Sequence, residues 1–143
     1  MGEHAARDAG RVSLLLAVAL GGLLMVIGLT YDGAGRLQAA QRAANVAAEA
    51  ARAGGQAIDL ASAIAGGEKV LDEAAATQAV TTYVSDVDGA ELVSVSFDEP
   101  GEQDITVVVT VDYDTIFLDL FGFPDTIEVT GTSTARLLTT SDV

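Results

Sequence analysis

The sequence predicts an α+β protein: a long N-terminal transmembrane helix that continues as an alanine-rich helix, then a second helix packed on a small antiparallel sheet of about three strands. Three observations predict it. An uncharged run of 20 residues, "VSLLLAVALGGLLMVIGLTY" from Val12 to Tyr31, stands between Arg11 and Asp32. Close behind it, "GRLQAAQRAANVAAEAARAGG" has strong helix propensity through its alanines. Beyond Gly89 the apolar period shortens to two, in segments divided by Pro and Gly.

The apolar run comes first. At 1.5 Å per residue it rises about 30 Å, the hydrocarbon thickness of a bilayer, so residues 12–31 read as a transmembrane helix. A cleaved secretory signal is the rival, with an apolar core of about 7–15 residues and a small-residue cleavage site. Here the run is longer and "YDGAGR" follows it, although A-x-A matches occur further on. A buried helix of a soluble domain fits less well, because so short a remainder cannot wrap a helix that is apolar on every side.

Cations do not orient the span: Arg7 and Arg11 precede it, and Arg36 and Arg42 follow. The simpler topology keeps residues 1–11 as a short cytoplasmic leader and exports the carboxyl domain, the span serving as an uncleaved signal-anchor. Ser13, Ala17, Gly21 and Gly28, with Gly35 just beyond, form a row of small residues. Such a row lets a second helix approach closely, although Gly is common in membrane helices in any case.

Residues 32–55 are expected to form a helical stalk. Leu37, Ala40, Ala44, Ala47 and Ala51 recur at spacings of three and four, a narrow seam that needs a close partner, either the chain's own sheet or other subunits. Gly54 and Gly55 signal its end. Residues 56–143 then read as an exported α+β domain. "QAIDLASAIAGG" suits a short helical turn, and Val70, Leu71, Ala74, Ala75, Val80, Tyr83 and Val84 mark a second helix over about residues 70–85.

Strands are expected near 91–98, 103–113 and 126–138. In the first, Leu92, Ser94 and Ser96 alternate with Val93, Val95 and Phe97; in the second, Ile105, Val107, Val109, Val111 and Tyr113 share a face. "DEPGEQ" joins them as an acidic turn. The third carries Ile127, Val129, Gly131, Ser133, Ala135 and Leu137 on one side. The intervening "TIFLDLFGFPD" is too apolar for an ordinary connection, and reads either as a plug over a core edge or as an exposed patch for a partner subunit or membrane surface.

Composition narrows the function. The net charge is −14, and after Arg52 the only cations are Lys69 and Arg136, so the carboxyl half repels nucleic acid. With 0 Cys there is neither a disulfide framework nor a thiolate metal site. His4 is the sole histidine and precedes the span, so no His-based nucleophile or zinc site is expected in the exported domain. "DVDG" at Asp86–Gly89 fails as an EF-hand, having Ala90 and Phe97 where oxygen ligands belong. Asp98, Glu99, Glu102 and Asp104 offer at most an irregular calcium site, with solvated turn acids the plainer reading. The glycines match no phosphate-binding fingerprint. A non-catalytic protein without cofactor or metal is therefore expected.

The order of parts resembles a known family. Gly10, Asp32, Gly33, Arg36, Gln41, Arg42, Ala43 and the "AAEAAR" of residues 47–52 are similar to the N-terminal region of TadE/TadG-like pilus assembly proteins, especially the actinobacterial kind. The likeness covers about the first 55 residues. It implies a pilin-like fold and a pseudopilin or minor-pilin-like component of a tight-adherence (Flp-type) pilus system. That component would sit in the cytoplasmic membrane with its carboxyl domain outside, partnered by other pilus and assembly-platform subunits. The resemblance also makes Gly10 and Arg11 a candidate leader-processing site. The pilin pattern has Glu five residues after that glycine, where this chain has Leu15, so TadG-like members that keep their anchor match it better. The alternative is a membrane-anchored extracellular binding or adhesion module, with a cation-dependent version among its forms.

Overall fold

The computed structural model describes residues 3–57, 71–97 and 104–136, with side chains described from Arg11 onward. Most of the expected turn over 56–67, the acidic turn 98–103 and the end of the third strand at 137–138 lie outside the described residues.

One helix, α1, runs unbroken over Glu3–Gly55. Its apolar N-terminal part is long and apolar enough to cross a membrane, and almost none of that part is buried within the molecule. The alanine-rich continuation is different. Ala39, Ala43, Val46, Ala47, Ala50 and Ala51 are all buried, at the three- and four-residue spacings of one helical face.

This face corrects the expected seam. Leu37 is exposed, as is Ala44, while Ala40 is half-buried. The size of Leu37 suggested a core position, but the buried side is the one with the smallest residues, because the helix lies directly on the sheet. At Gly131 of the third strand an added Cβ would overlap the backbone of Ala43 and Ala44. Only glycine there, facing alanine, permits so close an approach. The expected helical stalk, residues 32–55, is thus a layer of the domain, and the chain's own sheet is the close partner.

Asp72 begins α2, Glu73–Ser85, by accepting hydrogen bonds from the backbone N–H groups of Ala74 and Ala75 at 3.1 and 3.0 Å. Its buried residues are Ala76, Val80 and Val84, whereas Ala74 and Ala75 face solvent in the first turn. It packs against α1 and the first strand.

Among the described residues the sheet is an antiparallel meander of β1 (Ala90–Phe97), β2 (Asp104–Asp114) and β3 (Thr126–Arg136), in that order. Ile105, Val107, Val109 and Val111 of central β2 are buried beneath α1, in a core that α2 joins through Ala76, Val80 and Val84. In β1 a register shift between Leu92 and Ser94 interrupts the alternation. Leu92 and Val95 both reach the core despite their odd spacing, and Val93 is left exposed. A short helix, α3 (Phe117–Leu120), lies in the connection from β2 to β3 and touches α1.

Candidate membrane-exit site

The chain leaves its apolar run at Tyr31, and the next residue is Asp32. A carboxylate one residue past a bilayer-length segment should seek water. Asp32 is instead 2% exposed and serves as the acceptor at the centre of a polar knot. Its Oδ1 accepts from the backbone N–H of Ile116 at 3.1 Å and from the Tyr113 hydroxyl at 3.3 Å. Its Oδ2 accepts from the N–H groups of Phe117 at 3.0 Å and Leu118 at 2.7 Å.

The arrangement explains how α3 exists. So short a helix exposes unpaired N–H groups at its start, and Ile116, at its cap position, makes no side-chain capping bond. Asp32 supplies that cap from 84 to 86 residues away in sequence. Burial alone would raise the carboxyl pKa, but the three N–H groups and the Tyr113 hydroxyl together outweigh it and hold Asp32 below its ordinary value. Tyr113 is pushed the other way, first by burial and then by the Asp32 charge.

Packing reinforces the knot. The Phe117 side chain sits against Gly28, where an added Cβ would come within 2.7 Å of it. The Phe117 ring meets Tyr31 edge-on, 5.9 Å between centroids. Tyr113 occupies the space over Gly35, where an added Cβ would overlap its hydroxyl. Thr115 closes the base of the connection: its N–H donates to the Asp125 carbonyl at 2.7 Å and its hydroxyl to the Pro124 carbonyl at 2.8 Å. Met25, Leu29, Phe117, Leu118, Phe121 and Phe123 line an apolar groove of about 210 Å³ between span and loop.

The small-residue row therefore divides. Gly28 and Gly35 receive Phe117 and Tyr113 of the same chain. Around Gly21 no described atom would meet an added Cβ within 4 Å, and Ser13 and Ala17 are exposed to solvent in this structure. Gly10 and Arg11 both lie inside α1. The apolar connection is not a plug over a core edge. Ile116, Leu120, Phe121 and Phe123 are exposed, while Phe117 and Leu118 rest on the span.

In the sequence Asp32 reads only as the charge that ends the apolar run. A signal was present, since Gly28, Asp32, Gly35, Ala39 and Ala43 follow helical spacing and place the acid on the small-residue face. Its partners, some 84 residues away, carry no comparable pattern.

Of the candidate calcium ligands, Asp98, Glu99 and Glu102 lie outside the described residues. Asp104 is engaged by Arg136, whose Nε and Nη2 donate to its two carboxylate oxygens at 2.8 and 3.0 Å; that pairing first, and the neighbouring positive charge after it, lowers the Asp104 pKa. Among the described residues no group of three His, Cys, Asp or Glu side chains could hold a metal ion. Comparison with protein-family models, curated proteins and solved structures finds no match.

Proposed function

We propose that this chain is a membrane-anchored, non-catalytic assembly subunit, a pseudopilin or minor-pilin-like component of a tight-adherence type of pilus or secretion system. Its N-terminus is cytoplasmic and its sheet domain lies outside the cell. One observation carries the reading: a single helix serves both as the apolar span and as a packed layer of the sheet domain. Force or displacement applied to one part therefore passes to the other through an unbroken backbone ladder. A subunit that must be held in a membrane and handed to an assembly needs such coupling, whereas an enzyme or receptor tethered for convenience does not. The resemblance of residues 10–52 to TadE/TadG-like proteins supplies the particular system.

On this reading Ser13, Ala17 and Gly21 form the face for a neighbouring helix, either a second copy or another pilus subunit. Gly21→Leu tests it. The variant should insert and fold normally, yet show at least about a fivefold loss of Ala17→Cys cross-linking to neighbours in native membranes. Unchanged cross-linking, or none in the parent, would count against assembly through this face. Sequencing the N-terminus of the membrane-bound protein tests the anchor: an intact start supports it, and a start at Arg11 supports pilin-type processing. A soluble product beginning among the alanines would overturn it.

A further inference from the structure

We propose that the β2–β3 connection, residues 116–123, is a second membrane contact that enters the outer hydrocarbon layer beside the span and fixes the sheet domain against the bilayer. The inference rests on the reading of residues 12–31 as a membrane span. Position is the first argument. Phe117 packs on Gly28, and the groove it shares reaches Met25, which lie about 6 Å and 10 Å along the helix from Asp32 toward the membrane. If the span occupies hydrocarbon, part of this connection lies below the level at which the chain leaves it.

Exposure is the second argument. Leu120 is 77% exposed, Ile116 58%, Phe123 57% and Phe121 50%, a density of bare large apolar groups unlike the rest of the sheet domain's surface among the described residues. They continue the apolar surface of Met25 and Leu29, themselves exposed, so one medium can cover both.

The polar groups follow the same boundary. The connection's backbone N–H groups at 116, 117 and 118 are paired with Asp32, as a segment entering lipid requires. Asp119, the one charge between Ile116 and Phe123, limits the depth, since a carboxylate is costly in hydrocarbon. Immersion is therefore shallow. The acidic domain gains nothing from anionic headgroups, so the attachment is hydrophobic and works on zwitterionic lipid.

Because the chain has 0 Cys, single-cysteine variants of the full-length protein are unambiguous. Leu120→Cys and Phe121→Cys in the connection, Leu20→Cys in the span and Thr132→Cys on the sheet would each carry an environment-sensitive fluorophore in phosphatidylcholine vesicles. The quenchers are aqueous iodide and spin-labelled lipid, with the spin label near the headgroup for the connection and deep in the acyl chain for Leu20. Both connection labels should be quenched by the lipid probe and be at least about threefold less accessible to iodide than the Thr132 label. Iodide quenching equal to that at Thr132, with Leu20 still lipid-quenched, would overturn the second contact and leave the anchor intact. Iodide access at Leu20 would overturn the anchor itself. Protection of Leu120 and Phe121 from both quenchers would assign the patch to a neighbouring protein and overturn the lipid contact.

Discussion

Asp32 shows how one residue can define the end of an apolar, bilayer-length helical segment. Its two oxygens each accept two hydrogen bonds, all from donors, so an amide is a poor substitute. Asp32→Asn places an NH2 group against two of those donors, and Asp32→Leu abolishes all four bonds. Both variants should keep α1 and the sheet yet release α3, seen as at least about a tenfold loss of amide-exchange protection at Phe117 and Leu118. Unaltered protection there would refute the capping role. The carboxylate also makes the knot acid-sensitive. Its pKa is depressed in the fold, so its contribution is fully present above the unfolded carboxylate value, about 4, and disappears as pH falls through the lower folded value. Amide resonances of residues 116–118 should therefore move in acid in the parent protein and stay fixed there in Asp32→Leu. Neighbouring glycines provide a contrast. Gly33 has open space around it among the described atoms, so Gly33→Ala should stabilise the helix by about 0.5–1 kcal/mol. At Gly35 the same gain is offset by displacement of the Tyr113 hydroxyl, and thermal melts should separate the two variants.

Between elements, the decisive contact is that of α1 with β3. Backbone faces backbone at Gly131, and a side chain there can be admitted only by moving the helix away from the strand. Gly131→Ala is expected to cost about 1–3 kcal/mol, a fall in Tm of about 5–20 °C for a domain this small. A melt unchanged by the substitution would show that the layers are not in such close contact. This contact also explains what the sequence made legible. The long apolar run, the alternation of Ile105 through Val111 and the single face of β3 could be read directly, because each is a local period. The rotation of α1 could not. Alanines occupy nearly all of its sides, so Leu37 set the phase by size, and the true phase depends on a glycine nearly 90 residues away in β3. In β1, likewise, simple alternation puts Val93, Val95 and Phe97 on one apolar face, and the shift after Leu92 breaks that face by bringing Leu92 onto the core with Val95 and Phe97 and leaving Val93 exposed. Gly28 and Gly35 were recognised as small positions for close packing, but periodicity alone does not reveal that two aromatic side chains of the same chain fill them.

For the whole molecule, the consequence is that the apolar helix and the sheet domain are not separable modules. The domain's core draws Val46, Ala47, Ala50 and Ala51 from α1, and these lie against Val80, Val84 and the buried face of β2. Without them the sheet would present much of Ile105, Val107 and Val109 to water, since α2 packs on β1 rather than across β2. The three strands and two short helices described for the rest of the chain bury too little apolar surface to offset the entropy of ordering so small a chain. A fragment comprising residues 56–143 should consequently lack a cooperative thermal transition and show weak dispersion of its amide resonances. A fragment beginning at Asp32 should fold, because it retains the buried face of α1 and the acid that caps α3. The second fragment also leaves the apolar connection without Met25, Gly28 and Leu29, so it should self-associate in water and become monomeric on adding detergent. Cooperative folding of the shorter fragment would mean that the helix merely rests on a self-sufficient domain, and the transmission of force through α1 would lose its physical basis.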